Sequence, residues 1–239
     1  MTQTIETAVI LAAGRGTRLQ PYTFDIPKGF MPVGDERLIE RSVRVLKENG
    51  IKNIIIGTGH LHEHYEKFAK ENGLTTFLSP DYATTGSFHT LIYGSELIKG
   101  DFLLLESDLL YHSDAIKELL HSDAKDVILC SGFTQSNDEV YVELKDGRLE
   151  NLSKKKVELN SVDAELIGIW KISTDLLEKL KKHHKEAEDG ITKDYEIAIA
   201  QLADEHKVSV LKLDDLAWCE IDNQDHLERA KERILPRLD

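Results

Sequence analysis

The sequence predicts an α/β protein with a doubly wound, mainly parallel sheet and a small antiparallel insertion. Three observations carry this. Short continuous apolar runs alternate with amphipathic stretches of helical period through the first half of the chain. A glycine-rich turn follows directly on the first apolar run. In the middle of the chain the pattern switches to period two around an Asp-Gly pair. A length of 239 residues, 41% of them hydrophobic, suits one domain spanning 1–239 with a substantial core.

In chain order, TAVILA reads as a buried first strand and Glu36–Lys47 as an amphipathic helix. Ile51–Gly57 is a second strand, Leu61–Lys70 a second helix, and Leu74–Leu78 another strand. Ser87–Ile98 has helical period, with Ser87 placed to cap it. The run Phe102–Leu105 is a strand that leads into acidic residues, followed by a helix over Asp114–Leu120 and a strand over Asp126–Cys130. Glu139–Leu144 and Arg148–Leu152 flank Asp146-Gly147 as a hairpin, inside an insertion spanning 133–165. Glu165–Ile172 is a strand, Ser173–His184 and Asp194–Asp204 are helical, Val208–Leu213 and Ala217–Ile221 are short strands, and Gln224–Ile234 is a closing helix.

A formal net charge of −13 argues against a nucleic-acid partner, whose phosphates need a basic surface. It leaves room for a small anion, because a few cations focused in a cleft suffice. No apolar run reaches the ~20 residues of a membrane span, and the N-terminus lacks the basic flank of a signal peptide. Cys130 and Cys219 lie far apart and read as buried, reduced thiols, so a cytoplasmic setting is expected.

The turn after the first strand is rich in phosphate-binding chemistry. Gly14 and Gly16 let backbone N–H groups approach an anion, Thr17 adds a hydroxyl, and Arg15, Arg18 and Lys28 add charge. The spacing is neither that of the dinucleotide fingerprint nor that of the Walker loop. The whole segment, Leu11, Ala12, Ala13, Gly14, Gly16, Thr17, Arg18, Leu19 and Pro21 with Pro27 and Lys28, resembles the signature of the nucleotidyltransferase superfamily that activates sugar phosphates and phosphocholine. The resemblance runs through nearly the whole chain. It implies a Rossmann-like fold of the nucleotide-diphospho-sugar transferase type. It also implies a triphosphate wrapped by Leu11 to Thr17, with Arg18 at its β/γ end and Lys28 near the α-phosphate or the acceptor.

Two acidic strand ends stand out, FLLLESD with Glu106 and Asp108, and CEID with Glu220 and Asp222. Open α/β sheets bind ligands at that edge, and Mg²⁺ favours a few carboxylates with phosphate oxygens. Helix capping is the plain alternative for each aspartate. The resemblance implies that Asp108 and Asp222 hold Mg²⁺, with Glu106 and Glu220 behind them. The histidines of HLHEH are weaker candidates. His60 and His64 could share a helical face, but no third zinc ligand is placed.

The stretch Asp81 to Leu91 is similar to the phosphocholine cytidylyltransferase branch, which implies that Tyr82, Thr85, Gly86 and Ser87 border the base of CTP. A trimethylammonium acceptor wants an aromatic cage. Here SNDEVYVEL brings Asp138, Glu139 and Tyr141, and Tyr195 with Glu196 open a late helix. Carboxylates hydrogen-bond a primary ammonium, not a quaternary one. Within the branch, Ser153-Lys154 and Glu165-Leu166-Ile167-Gly168 resemble the 2-aminoethylphosphonate cytidylyltransferases, which implies Lys154 as a catalytic contact for the phosphonate beside Arg18 and Lys28. The expected partners are CTP and a small amino-phosphonate or phosphate ester. Phosphocholine, phosphoethanolamine and sugar 1-phosphates remain alternatives, as does a non-catalytic nucleotide-binding module. Members of the branch also occur fused to other enzymes, and a homodimer or a fused domain would suit this chain.

Overall fold

In a computed structural model of the chain, residues 5–136 and 139–238 are described; Asp138 lies outside them. Strand β1 (Thr7–Ala12) has every residue buried, which requires neighbours on both sides and cover on both faces. After the glycine-rich loop come a two-stranded ribbon, β2 (Pro32–Val33) and β3 (Glu36–Arg37), and helix α1 (Leu38–Glu48). The Glu40 carboxylate accepts the Arg37 N–H at 2.9 Å and so starts α1. Strand β4 (Asn53–Thr58) is followed by α2 (His62–Asn72), which Gly73 ends in the left-handed region. The chain continues through β5 (Thr75–Leu78), α3 (Ser87–Tyr93), β6 (Phe102–Glu106), β7 (Leu109–Tyr111), α4 (Asp114–His121) and β8 (Val127–Ser131). A hairpin of β9 (Tyr141–Lys145) and β10 (Arg148–Ser153) turns at Asp146 and Gly147, both at positive φ as a two-residue loop demands. The remainder is β11 (Ala164–Ile172), α5 (Thr174–Glu186), α6 (Tyr195–Gln201), β12 (Ser209–Leu213), β13 (Trp218–Glu220) and α7 (Gln224–Arg229).

These strands form a nine-stranded sheet in the order β5-β4-β1-β6-β11-β8-β12-β10-β9. The first four run parallel, as do β8 and β12. Strand β11 lies antiparallel between β6 and β8, so antiparallel pairing reaches the centre of the sheet. The hairpin extends the same sheet through β12 and β11. A separate two-stranded ladder pairs β7 with β13 and sets Glu220 opposite Leu109.

Alternate residues of β1 serve opposite cores. Ala8 and Ile10 pack with Ile39 and Leu46 of α1, Phe68 of α2 and Ile116 of α4. Val9 and Leu11 share the other face with Phe88, Leu180, Tyr195 and Trp170. A third cluster joins Leu19, Met31 and Val33 to Leu110, Ile221, Leu227 and Ile234, so the C-terminal segment packs on the loop that follows β1.

Several expectations need correction. Gly86, not Ser87, is the N-cap of α3, and that helix stops at Tyr93 because Gly94 follows; Ser95–Leu97 is a separate 3-10 turn. Helix α6 is confined to Tyr195–Gln201. The last helix changes hydrogen-bonding pattern at Ala230–Ile234, where it becomes π-helical. The β2–β3 ribbon and the separate strand β7 were too short to show a period. No helix among the described residues is long and apolar enough to cross a membrane.

One buried polar joint ties the second half together. The Asp126 carboxylate accepts the Ser173 N–H at 2.6 Å, the Ser173 hydroxyl at 2.8 Å and the His206 Nε2 at 2.8 Å. Ser173 in turn caps α5 by accepting the Leu176 N–H. Asp126→Ala should lower stability by about 3 kcal/mol, since buried donors lose a charged partner. Urea unfolding at unchanged m-value checks this, and a loss below about 1 kcal/mol would mean the joint is dispensable.

Candidate active site

The loop after β1 turns on Gly16, whose φ of 58° favours glycine. The Thr23 hydroxyl donates to the Gly16 carbonyl at 2.7 Å, and a Cβ on Gly16 would press to 3.1 Å from Thr23. Beneath this loop lies a cavity of about 350 Å³. Leu11, Ala12, Ala13, Gly14, Gly16 and Thr17 line it on the loop side, and Tyr82, Thr85, Gly86 and Ser87 contribute from the β5–α3 connection. Arg18, Lys28, Asp108 and Asp222 also border it. Arg15, expected with them, is exposed and is not among the lining residues.

Two glycines let these walls approach. A Cβ on Gly59 would lie 2.6 Å from both the Ala13 carbonyl and the Tyr82 ring, so Gly59 seats Tyr82 against the loop. A Cβ on Gly86 would lie 2.2 Å from the Lys193 carbonyl, and the Gly86 N–H donates to Ile191 O at 2.8 Å. The Ser87 hydroxyl then donates to Asp194 Oδ1 and accepts the Tyr195 N–H, both at 3.1 Å. Ser87 therefore ties α3 to α6. The pairing of residues 86–88 with 191–195 has no local sequence signal, and neither does Gly59.

Strand β6 ends at Glu106, and the β7–β13 ladder brings Glu220 and Asp222 beside it; the Ile221 N–H donates to the Asp108 carbonyl at 3.0 Å. Carboxylate oxygens of Glu106, Asp108 and Glu220 lie within 4.8 Å of one another. The Lys28 ammonium donates to Asp108 Oδ2 and Asp222 Oδ1 and sits 3.9 Å from Glu220 Oε1. Arg18 contacts Asp222 Oδ2 at 2.8 Å. Burial first, then the Asp108 charge, pushes Glu106 and Glu220 well above the carboxylate range. Burial, the largest single influence, would raise Asp222, but the Lys28 charge, hydrogen bonds from Glu220 and Lys28, and the Arg18 charge together hold it below that range. Burial would lower Lys28, yet Asp108, Asp222 and Glu220 hold it above the usual lysine value.

The residues fit a hard divalent cation. Four carboxylates converge with two cationic side chains among them, and Asp108 Oδ1 is buried without a hydrogen-bond partner. That cluster includes Glu106 and Glu220, expected behind the metal; Asp108 and Asp222, the expected ligands, share the Lys28 ammonium, and Asp222 also meets Arg18.

A second cavity, about 200 Å³, adjoins the first and shares Ser87, Glu106 and Asp194 with it. Of the expected acceptor residues, Glu139, Lys154 and Glu196 line it. Tyr141 does not. Its hydroxyl donates to Glu139 at 3.1 Å and its ring carries the Lys156 ammonium at 4.5 Å. Tyr195 is wholly buried behind the wall, where its hydroxyl donates to Glu106 Oε1 at 3.0 Å. The wall also includes Thr134, Glu165, Trp218, Glu220 and Arg229. Glu165 Oε2 accepts the Thr134 N–H at 2.8 Å. Opposite Glu106, a β-bulge between Leu166 and Trp170 contains Gly168 at φ 86°, which opens the wall there.

Among the described lining residues, six carboxylates (Glu106, Glu139, Glu165, Asp194, Glu196 and Glu220) face Lys154 and Arg229. Glu196 Oε2 is buried without a hydrogen-bond partner. Burial, then the Asp194 charge, pushes the Glu196 carboxyl up to about 7. Cys219 borders this cavity, and both cysteines are buried and unpaired.

The three histidines of HLHEH face different partners. His60 precedes α2 and cannot share its face with His64; its ring lies 6.4 Å from that of Tyr82. His62 Nδ1 pairs with Glu66 at 2.9 Å, and His64 meets the Phe30 ring edgewise.

Comparison with known proteins identifies the family and the fold. The chain is 24% identical over 233 residues to the bifunctional IPC transferase and DIPP synthase of Aquifex aeolicus, covering 97% of this chain and 52% of that protein. It thus spans about half the length of this relative. It is also 24% identical over 247 residues to the CTP:phosphoglutamine cytidylyltransferase of Campylobacter jejuni, covering 92% and 97% of the two chains. The inositol-1-phosphate CTP transferase of T. maritima superposes with a TM-score of 0.82 at 17% identity, over 98% of this chain and 99% of that one, which shows a common fold. The Nucleotidyl transferase family model matches residues 7–236, and the chain belongs to that family of enzymes.

Proposed function

We propose that this chain is an Mg²⁺-dependent cytidylyltransferase that transfers CMP from CTP to 2-aminoethylphosphonate, releasing pyrophosphate and forming CMP-2-aminoethylphosphonate. The observation that carries the reading is the pair of adjoining cavities. One is bounded by the glycine loop, the other is lined chiefly by carboxylates, and Glu106 belongs to both. The names of the Campylobacter and T. maritima proteins, which specify CTP and phosphorylated acceptors, support the same chemistry.

In this reading CTP takes the larger cavity, with its base near Tyr82, Thr85, Gly86 and Ser87 and its triphosphate under the loop. The ammonium of the acceptor meets Glu139, Glu196 and Glu106, while Lys154 and Arg229 hold its phosphonate. A phosphonate oxygen attacks the α-phosphorus and forms a new P–O bond. The bond from the α-phosphorus to the bridging oxygen breaks, and its electron pair leaves with pyrophosphate. The phosphonate is already ionised near neutral pH, so no general base is required. Lys28 and Arg18 screen the approach of two anions and the charge on the leaving group. When bound, Mg²⁺ would add charge neutralisation there, held by Asp108 and Asp222 with Glu106 and Glu220 beside them.

Residues 1–239 act as one unit, with the 133–165 insertion supplying the acceptor wall. A cytoplasmic setting, and assembly as a homodimer or with a further fused domain, belong to the same proposal. One observation favours a second reading: the Trp218 indole borders the acceptor cavity and could receive a quaternary ammonium, as in phosphocholine.

The deciding experiment is pyrophosphate release with Mg²⁺ and CTP, comparing 2-aminoethylphosphonate, phosphoethanolamine, phosphocholine and glucose 1-phosphate. The aminophosphonate should give the highest kcat/KM; preference for phosphocholine would transfer the assignment to the Trp218 reading. A pH series tests the ammonium contact. The raised Glu196 carboxyl is neutral below about pH 7 and ionised above it. The KM for the acceptor should therefore fall as pH rises through that point. Glu196→Gln should raise KM about tenfold at pH 8 and remove the part of the pH dependence that Glu196 contributes. Identical profiles for the two proteins would remove Glu196 from the site.

Lys28 yields a separate prediction, because its ammonium lies between Asp108 and Asp222. Lys28→Met should abolish turnover yet tighten Mn²⁺ binding to the nucleotide-free protein by about tenfold. Electron paramagnetic resonance of Mn²⁺ reads this directly, and weaker binding would show that Lys28 does not compete for the carboxylates.

A further inference from the structure

A buried hydroxyl that takes no part in the proposed chemistry lies where the two chain segments that carry Lys28 and Asp108 meet. Tyr65, on α2, is 1% exposed, and its hydroxyl accepts the Gly29 N–H at 3.2 Å. Gly29 lies between that hydroxyl and Ser107. Gly29 follows Lys28, and Ser107 precedes Asp108. The approach is close enough to exclude a side chain at Gly29, where a Cβ would lie 2.7 Å from the Tyr65 hydroxyl and 3.1 Å from the Ser107 carbonyl. The Ser107 N–H also donates to the Leu11 carbonyl at 3.0 Å, so the joint is referenced to the end of β1. The Tyr65 ring is fixed by edge contact with Phe30, 5.0 Å between centroids. A phenolic hydroxyl costs free energy to bury unless it is hydrogen-bonded, and here its partner Gly29 directly follows Lys28, which faces the nucleotide cavity.

We propose that Tyr65 is a positioning residue: its hydroxyl holds the Gly29 backbone, which packs against Ser107, and thereby sets Lys28 against Asp108. Tyr65 also borders the nucleotide cavity, but with its hydroxyl turned to Gly29 it acts through that neighbour and not on the reacting atoms. The inference goes beyond the choice of acceptor and uses the nucleotidyl-transfer reading only for its turnover measurement.

The test compares wild-type protein with Tyr65→Phe, which keeps the ring and removes the hydroxyl. With the best acceptor, kcat should fall about 10- to 100-fold, while KM for CTP and acceptor stay within about twofold, because misalignment acts at the transition state. Binding of Mn²⁺ without nucleotide, measured by paramagnetic resonance, should tighten several-fold, because a displaced Lys28 competes less well for Asp108. Phe68→Leu serves as a packing control, since Phe68 contacts the same Phe30 ring without reaching the hydroxyl. It should lower Tm and leave kcat and Mn²⁺ affinity unchanged. Wild-type kcat and Mn²⁺ affinity in Tyr65→Phe would overturn the proposal, as would equal losses of kcat in Phe68→Leu. If Tyr65→Phe does not fold, Gly29→Ala, whose Cβ would lie 2.7 Å from the same hydroxyl, disturbs the joint from its other side and should show the same loss of kcat at constant KM. Should the wild type turn over none of the acceptors, the functional proposal fails, while the Mn²⁺ comparison still decides the role of Tyr65.

Discussion

Burying several carboxylates at one place constrains everything around them. Oxygens of Glu106, Asp108 and Glu220 lie within 4.8 Å of one another. At that spacing and an effective dielectric of about 20, each ionised pair repels by about 3 kcal/mol. The protein meets this repulsion in two ways. Lys28 and Arg18 neutralise Asp108 and Asp222, and burial keeps Glu106 and Glu220 protonated to higher pH. Both devices leave the centre short of positive charge once the carboxyls ionise, which is the electrostatic condition for holding a divalent cation. The framework follows from the same need. The β7–β13 ladder lies apart from the main sheet, and it sets the second acidic strand end beside the first.

The geometry of that centre also explains why the C-terminal segment packs where it does. Ile221, Leu227 and Ile234 meet Leu19, Met31 and Val33, which flank Arg18 and Lys28 in sequence. The cationic loop and the acidic strand ends are thus fastened by an apolar cluster next to the charges. An ion pair formed by flexible chains would lose much of its energy to ordering, whereas segments fixed by packing have already met that cost.

The elements that were legible in the sequence are those whose information is local. The period of α1 and α4, the continuous apolar runs of β1 and β6, and the Asp-Gly turn with its two positive φ angles each declare themselves within a short window. The glycine loop and both acidic strand ends were legible for the same reason, and the cavity gathers nearly all of them. What stayed hidden is non-local. Gly59 matters only because Tyr82 folds onto it, and Gly86 only because the carbonyl of Lys193 approaches it. Tyr195 reads like a wall residue until strand β6 is seen in front of it, with Glu106 accepting its hydroxyl. Arg229 lies on a short helix whose sequence says nothing of the cavity it borders. Strand β11 is apolar enough to be a central strand, but its direction is set by the fold and not by its residues.

Glu106 belongs to both cavities, and this couples them. Its Oε1 is held by Tyr195 at 3.0 Å, which fixes the carboxylate at the boundary between the cluster with Asp108 and Glu220 and the wall with Glu196. A cation on either side favours ionised Glu106, and the ionised form is the better partner for a cation on the other side. In the proposed reaction, a divalent cation beside Asp108 and the ammonium of the acceptor would each favour the ionised form. Linkage makes this effect reciprocal. One buried carboxylate, held by a tyrosine behind it, thus lies where charge in either cavity acts on the same proton.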